Sequence, residues 1–166
     1  PGDIHSPRLH GFFHAHVGWL FVSGIGDSQN DKIRDFAKYP ELVLLDKFWY
    51  MPPIMLGVLV WALFGWGGLW IGFFFSTVLL WHGTYTINSL SHVFGKKVYP
   101  TTDDSKNNFI LALITMGEGW HNNHHHYQAS CRQGFHWWQI DMTYYILKMM
   151  SWVGLVWDIR EPPANV

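Results

Sequence analysis

The chain has 166 residues, of which 49% are apolar, 18% aromatic and only 14% charged, with a formal net charge of −1. A water-facing domain carries about a quarter of its residues as charges to solvate its surface, so an ordinary soluble exterior is excluded; disorder is excluded too, because far too much apolar surface is present. Eleven Lys and Arg against twelve Asp and Glu, with no dense basic run, leave nothing to neutralise phosphates along one face, which argues against nucleic acid as a partner.

The opening residues, Pro1-Gly2-Asp3-Ile4-His5-Ser6-Pro7, lack the basic start and apolar core of a signal peptide. They read as the middle of a loop, with the expectation that the chain is a fragment of something longer. Residues 11–23 form a short aromatic segment, expected to be helical and near a membrane interface. Residues 24–47 carry most of the early charge and read as a cytoplasmic loop with a helix around 31–39. From Phe48 to Gly95 there is no Lys, Arg, Asp or Glu. A bilayer crossing takes about 20 apolar residues, so this stretch fits two spans, at about 48–66 and 69–91, turning at Gly65-Trp66-Gly67-Gly68. Two buried helices of a soluble core are the alternative, but such helices rarely run so long without charge. Trp49, Tyr50, Trp66, Trp70 and Trp81 fall near the span ends, where amphipathic rings favour the headgroups. Lys47 before the first span, and Lys96 and Lys97 after the second, put both outer ends on the cytoplasmic side by the positive-inside bias.

Beyond the spans, Tyr99-Pro100-Thr101-Thr102-Asp103-Asp104 reads as a polar turn capping a helix from about 106 to 116, and 134–158 as one long helix. Lys148 at mid-bilayer would cost about 2.5–3.5 kcal/mol, which favours an amphipathic helix beneath or on the membrane over a third crossing. Cys131 is the single cysteine and forms no internal disulfide. The fold class is therefore an all-α membrane protein: a transmembrane helical hairpin with cytoplasmic and interfacial helices, and with no repeat or linker.

Eleven histidines carry the chemistry. In Gly117-Glu118-Gly119-Trp120-His121-Asn122-Asn123-His124-His125-His126, positions 121, 124 and 125 share one face if the segment is helical. Their imidazoles can then converge on metal, at one site or two adjacent ones. His126 points about 100° away. Imidazole suits Fe, Zn, Cu and Ni alike, so residue type does not select the metal; a solvated polar loop or a tag remnant is the bland alternative. His92, four residues after Asn88 on one helical face, is a polar group at membrane depth, where such groups usually face a protein interior and serve a purpose. Beside the His cluster it reads as a ligand, against the alternative of a helix-end histidine bonded to a carbonyl. His82, on roughly the opposite phase, reads as structural. His5, His10, His14 and His16 are assigned no ligand role, and His136 reads as an interfacial partner of Trp137 and Trp138.

Asn88-Ser89-Leu90-Ser91-His92, followed by Gly117-Glu118-Gly119-Trp120-His121-Asn122-Asn123-His124-His125, resembles the C-terminal half of the membrane fatty acid desaturases, nearest their bacterial acyl-CoA and acyl-lipid Δ9 (stearoyl-CoA-type) branch. His5-Ser6-Pro7 and Gly11-Phe12-Phe13 with His16-Val17-Gly18-Trp19 resemble the segment after that family's second histidine box. The resemblance implies two irons per full-length enzyme, held almost entirely by histidines at the cytoplasmic face of a four-helix membrane bundle, with O₂ as co-substrate. By motif position, His121, His124 and His125 form the third box, His92 is the ligand ending the last span, and Asn88 touches iron through water. Thr84 and Tyr85 lie beside the bent acyl tunnel and Trp19 in its wall. The implied reaction leaves a cis double bond in a fatty acyl-CoA or acyl-lipid. Electrons come from a ferredoxin, rubredoxin or cytochrome-type donor, since no nucleotide-binding motif is present. The basic pair common before the glycine is missing from Ser6-Pro7-Arg8-Leu9-His10-Gly11. Counterparts of the first two histidine boxes are also missing, so the expectation is the C-terminal part of one desaturase domain, inactive alone. Two other readings stay open: a hydroxylase or ketolase of the same membrane di-iron superfamily, and a non-catalytic membrane protein that binds metal.

Overall fold

The computed structural model describes residues 6–22 and 32–163. In chain order its helices are α1 (Pro7–His10), α2 (Phe12–His16), a 3₁₀ turn (Gly18–Phe21), α3 (Arg34–Ala37), α4 (Pro40–Lys47), α5 (Met51–Gly67), a π-helical stretch (Gly68–Phe75), α6 (Ser76–Val93), α7 (Phe109–Ile114), α8 (His121–His126) and α9 (Met142–Trp152). Among the described residues there is no strand, only antiparallel bridges pairing Asn107 with Lys96 and with Trp120. Two compact units divide the chain: Leu20–Trp81, and Pro1–Trp19 together with His82–Val166.

In the unit Leu20–Trp81, residues 24–31 of the expected loop lie outside the described residues. The helix expected at 31–39 is only Arg34–Ala37 there, and Tyr39 is extended. Pro40 is the reason: its ring disfavours helix at the residue before it, and it then opens α4 at a position that needs no amide hydrogen. Pro52 and Pro53 fall in the first turn of α5, where a missing amide hydrogen breaks no intrahelical bond. The run Met51–Val93, 43 residues, is long and apolar enough to cross a membrane. Gly65 interrupts it with φ +65° and ψ −160°. The Phe73 ring lies 3.3 Å from where a side chain on Gly57 would begin. Ile54, Trp61, Leu69 and Phe73 help to line a wholly apolar hollow of about 600 Å³. Leu63 and Phe64 are 65% and 70% exposed, a surface that hydrocarbon accommodates and water penalises by about 25 cal/mol per Å².

The other unit has a polar centre. Its largest fully buried side chains are Gln139, Asn122, Asn123, Asp141, Ser89, Ser91 and Ser105. The helix expected from 106 is shorter, Phe109–Ile114, and Asn108 caps it by accepting from the Leu111 amide at 3.1 Å. The Thr101–Asp104 turn bonds elsewhere. The expected long helix 134–158 is also not formed: α9 spans only Met142–Trp152. Asp141 causes this, because its Oδ1 caps α9 through the Tyr144 amide at 2.9 Å while its Oδ2 takes the Gln133 and Gly134 amides at 2.6 and 3.1 Å. Those residues are thereby held in a non-helical loop. Glu161 then accepts from Tyr144 Oη at 2.5 Å and Lys148 Nζ at 3.1 Å, so Lys148 is paired with a carboxylate at the surface of its unit.

Candidate metal centre

A six-residue helix does not hold itself together in water, so α8 is fixed from outside. Asn107 Oδ1 accepts from the amides of Asn122 and Asn123 at 2.9 and 3.2 Å, satisfying two of the N–H groups that the first turn leaves free. Asn107 Nδ2 donates to Asn123 Oδ1 at 2.6 Å. Asn122 reaches the other way: its Oδ1 accepts from Val98 and Tyr99 amides at 2.8 and 2.7 Å, and its Nδ2 donates to Tyr99 O at 3.1 Å. Asn123 Nδ2 donates to Gln139 Oε1 at 2.9 Å and Gln133 O at 2.8 Å. The two asparagines inside the His-Asn-Asn-His-His run thus tie α8 to the loops at 98–99 and 133–139. Before it, Gly119 packs on the Ala112 backbone and Gly117, at φ +127°, on the Asp141 carboxylate, each where a Cβ would collide. Trp120 Nε1 donates to Ile140 O at 2.8 Å. The Gly-Glu-Gly-Trp-His pattern therefore has a packing explanation independent of chemistry.

On this scaffold α6 presents His92, and α8 presents His121 and His125. One nitrogen from each lies within 4.8 Å of the others, little more than twice a metal–imidazole bond of about 2.0–2.1 Å. His92 Nε2 and His121 Nε2 are 3.0 Å apart, and both residues are buried. His125 Nδ1 meets Asp103 Oδ2 at 2.5 Å, which leaves Nε2 as the nitrogen it has to offer. A carboxylate behind a ligating imidazole orients the ring and raises its basicity. Asp103 is itself held by the Ser105 amide at 2.9 Å. Partial burial works against its charge, but the Ser105 hydrogen bonds and the adjacent His125 keep its carboxyl well below the usual range.

His124 is not in that group of three. Its ring centroid is 5.6 Å from that of His125 and 6.1 Å from that of His121, and its Nδ1 is buried without a hydrogen-bond partner. Burial, then the neighbouring rings of His125, His92 and His124, push the His121 imidazole down to about 2; burial, then His125, lowers His124. Both are neutral near pH 7, the form that binds metal. His126 is exposed and stacks on Tyr99 at 4.5 Å. A cleft of about 360 Å³ lined by Arg8, Phe12, His92, Asp104 and Lys106 opens beside His92.

The other sequence-derived residues sit along α6 and before it. Asn88 is half-buried, Thr84 exposed and Tyr85 buried. Trp19 meets Tyr85 edge-on at 6.0 Å, so these two are brought together away from the three imidazoles. Sequence reasoning missed Asp103, which was read only as part of a turn, and the asparagines that hold α8. Asn122 and Asn123, polar residues with no obvious face of their own inside a histidine run, were the available signal. His136 stacks on Trp138 at 5.8 Å.

Residues 1–155 match the sequence model of a family described as fatty acid desaturase. The chain is 38% identical over 165 residues to a chloroplastic palmitoyl-monogalactosyldiacylglycerol delta-7 desaturase of Arabidopsis thaliana, covering 96% of this chain and 44% of that protein. It is 37% identical over 164 residues to an sn-1 stearoyl-lipid 9-desaturase of Synechocystis sp., covering 93% and 49%. To an icosanoyl-CoA 5-desaturase of Limnanthes douglasii it is 36% identical over 165 residues, covering 96% and 46%. The chain spans about half the length of these curated relatives.

Proposed function

Because this chain belongs to the fatty acid desaturase family, we propose that it forms the C-terminal part of an enzyme that introduces a cis double bond into a saturated fatty acyl chain carried on CoA or a lipid, at Δ9. The observation that carries the proposal is the convergence of His92, His121 and His125 from two separate segments within 4.8 Å. The donor set fits iron, being imidazoles backed by a carboxylate, and the unpartnered buried Nδ1 of His124 is a fourth nitrogen facing away from solvent. His92, His121 and His125 would hold one iron, with Asn88 touching it through water, and His124 would face a second iron completed by ligands from the rest of the enzyme. When bound, the irons supply the oxidising power, drawn from O₂, that removal of hydrogen from an unactivated methylene requires and that no side chain has. The balance is that O₂ takes up four electrons, two from the acyl chain as it loses two hydrogens and two from a ferredoxin, rubredoxin or cytochrome-type donor, and with two protons from solvent leaves as two waters.

This chain's own residues position and shield. Asp103 fixes the His125 ring, and the asparagine network holds α8 at one pitch. Thr84, Tyr85 and Trp19 line the path of the acyl chain and keep water from it. Two spans, 48–66 and 69–91, would anchor the site on the cytoplasmic side of the membrane. Phe73 against Gly57 supports a reversal at Gly65, since an unbroken helix would separate the two by about 24 Å. Lys96 and Lys97 following α6 support the sidedness.

Product analysis of the full-length enzyme, expressed in a host supplied with saturated acyl chains, tests the reading and gives the bond position directly. A double bond supports it. An alcohol indicates the hydroxylase alternative, and metal binding without O₂ consumption indicates a non-catalytic metal protein.

A further inference from the structure

Away from the three imidazoles, α2 and α6 share a second polar contact that the proposed metal centre does not use. His16 Nδ1 lies 2.9 Å from Ser89 Oγ, and His16 Nε2 lies 2.9 Å from His82 Nδ1. The Ser89 hydroxyl donates its only hydrogen to Tyr85 O at 2.8 Å, so it accepts from His16 Nδ1–H. In the tautomer with its hydrogen on Nδ1, the ring then accepts at Nε2 from His82 Nδ1–H. His16 is thereby held at both ring nitrogens. His82, Tyr85 and Ser89 lie on one face of α6, being separated by three and four residues. Tyr85 is buried inside this frame: the rings of His16, Trp19 and His82 meet it edge-on, with centroids at 5.8, 6.0 and 6.0 Å. Phe12 stacks on His16 at 6.0 Å. Polar side chains within an apolar helical run are costly unless they are paired and useful, and these are paired with each other around an aromatic ring.

We infer that His16 and His82 are positioning residues for substrate specificity: by locking Tyr85, they set which carbon of the acyl chain reaches the metal centre. The inference rests on the desaturase reading, in which Tyr85 borders the acyl path. Tyr85 lies two helical turns, about 10 Å, before His92 on α6, so a change in its ring position alters the chain's register rather than the ligands.

The test uses the full-length enzyme with saturated acyl substrates, reading the ratio of positional and chain-length products together with iron per protein. His16→Leu and His82→Leu are expected to change that ratio by about tenfold, the size of one misplaced methylene in an apolar pocket, with iron content at the wild-type level. Ser89→Ala, which keeps the His82 contact, is expected to shift the ratio in the same direction by less and to add nothing to His16→Leu. His82→Gln, whose amide N–H can donate to His16 Nε2, is expected to restore the wild-type ratio, a rescue that a bulk-packing role would not give. If His16→Leu does not accumulate, His82→Leu and Ser89→Ala decide by the same criteria. An unchanged product ratio in variants that keep iron and turnover overturns the inference. Absence of unsaturated product from the wild-type enzyme would instead overturn the desaturase reading beneath it, so the two failures are distinct.

Discussion

Replacing Asn107 by Ala removes a side chain that touches no proposed ligand yet fixes the helix carrying three of them, His121, His124 and His125. Asn107 is 6% exposed; its Oδ1 serves the Asn122 and Asn123 amides and its Nδ2 serves Asn123 Oδ1. Loss of the cap costs about 0.5–2 kcal/mol, and the buried Asn123 oxygen left without its donor costs about 1–3 kcal/mol more. Together this is about 1.5–5 kcal/mol of local stability at α8. Amides in α8 that exchange through local opening should then exchange about ten- to several-thousand-fold faster, as read by hydrogen–deuterium exchange on a peptide covering 121–126. Iron per protein should fall in parallel, because His121 and His125 no longer share a fixed pitch. Unchanged protection of that peptide with full iron content would refute the idea that the asparagine network sets the geometry of the site.

His125→Ala should abolish unsaturated product and lower bound iron, whereas His126→Ala should do little, since His126 is exposed and only stacks on Tyr99; comparable losses in both would show that the wrong neighbour was chosen. Asp103→Asn, which keeps the shape but not the charge behind His125, should weaken metal binding about 10–100-fold in a competition titration with a chelator, and an unchanged affinity would remove Asp103 from the site. Glu161 has its carboxyl lowered first by the hydrogen bond from Tyr144 and then by that from Lys148. A depressed folded value means that the tie to α9 is present above the ordinary carboxylate range and is lost as pH falls through the folded value. Protease cutting near residues 158–163 should therefore increase in acid, and Glu161→Gln should flatten that dependence; both partners of the ion pair are 42% exposed, so the effect is small.

The most legible part of the fold was the uncharged run from Phe48 to Gly95, because hydrocarbon leaves a compositional trace that needs no tertiary information. The common face of His121, His124 and His125 was legible only conditionally: their spacing puts them together if the segment is helical, and α8 makes it so. What spacing could not show is which of these imidazoles meets His92. That is decided by Asn107, Asn122 and Asp103, polar residues whose partners lie 15 to 24 positions away. The long helix expected at 134–158 failed for a local reason that periodicity does not register. Asp141 uses one carboxylate oxygen to start α9 and the other to hold residues 133 and 134 out of it. Taken alone, His82 reads as structural and His16 as no ligand; their pairing across 66 positions has no signature in either neighbourhood.

X-ray absorption at the iron edge of the full-length enzyme, wild type against a variant carrying His92→Ala, His121→Ala and His125→Ala together, measures directly whether these rings hold metal. The expected spectrum of the wild type shows imidazole nitrogen ligation that is diminished in the variant together with its iron content. Equal iron, with the same imidazole signature in both proteins, would mean that the gathered rings of α6 and α8 are a packing feature and that the metal lies elsewhere.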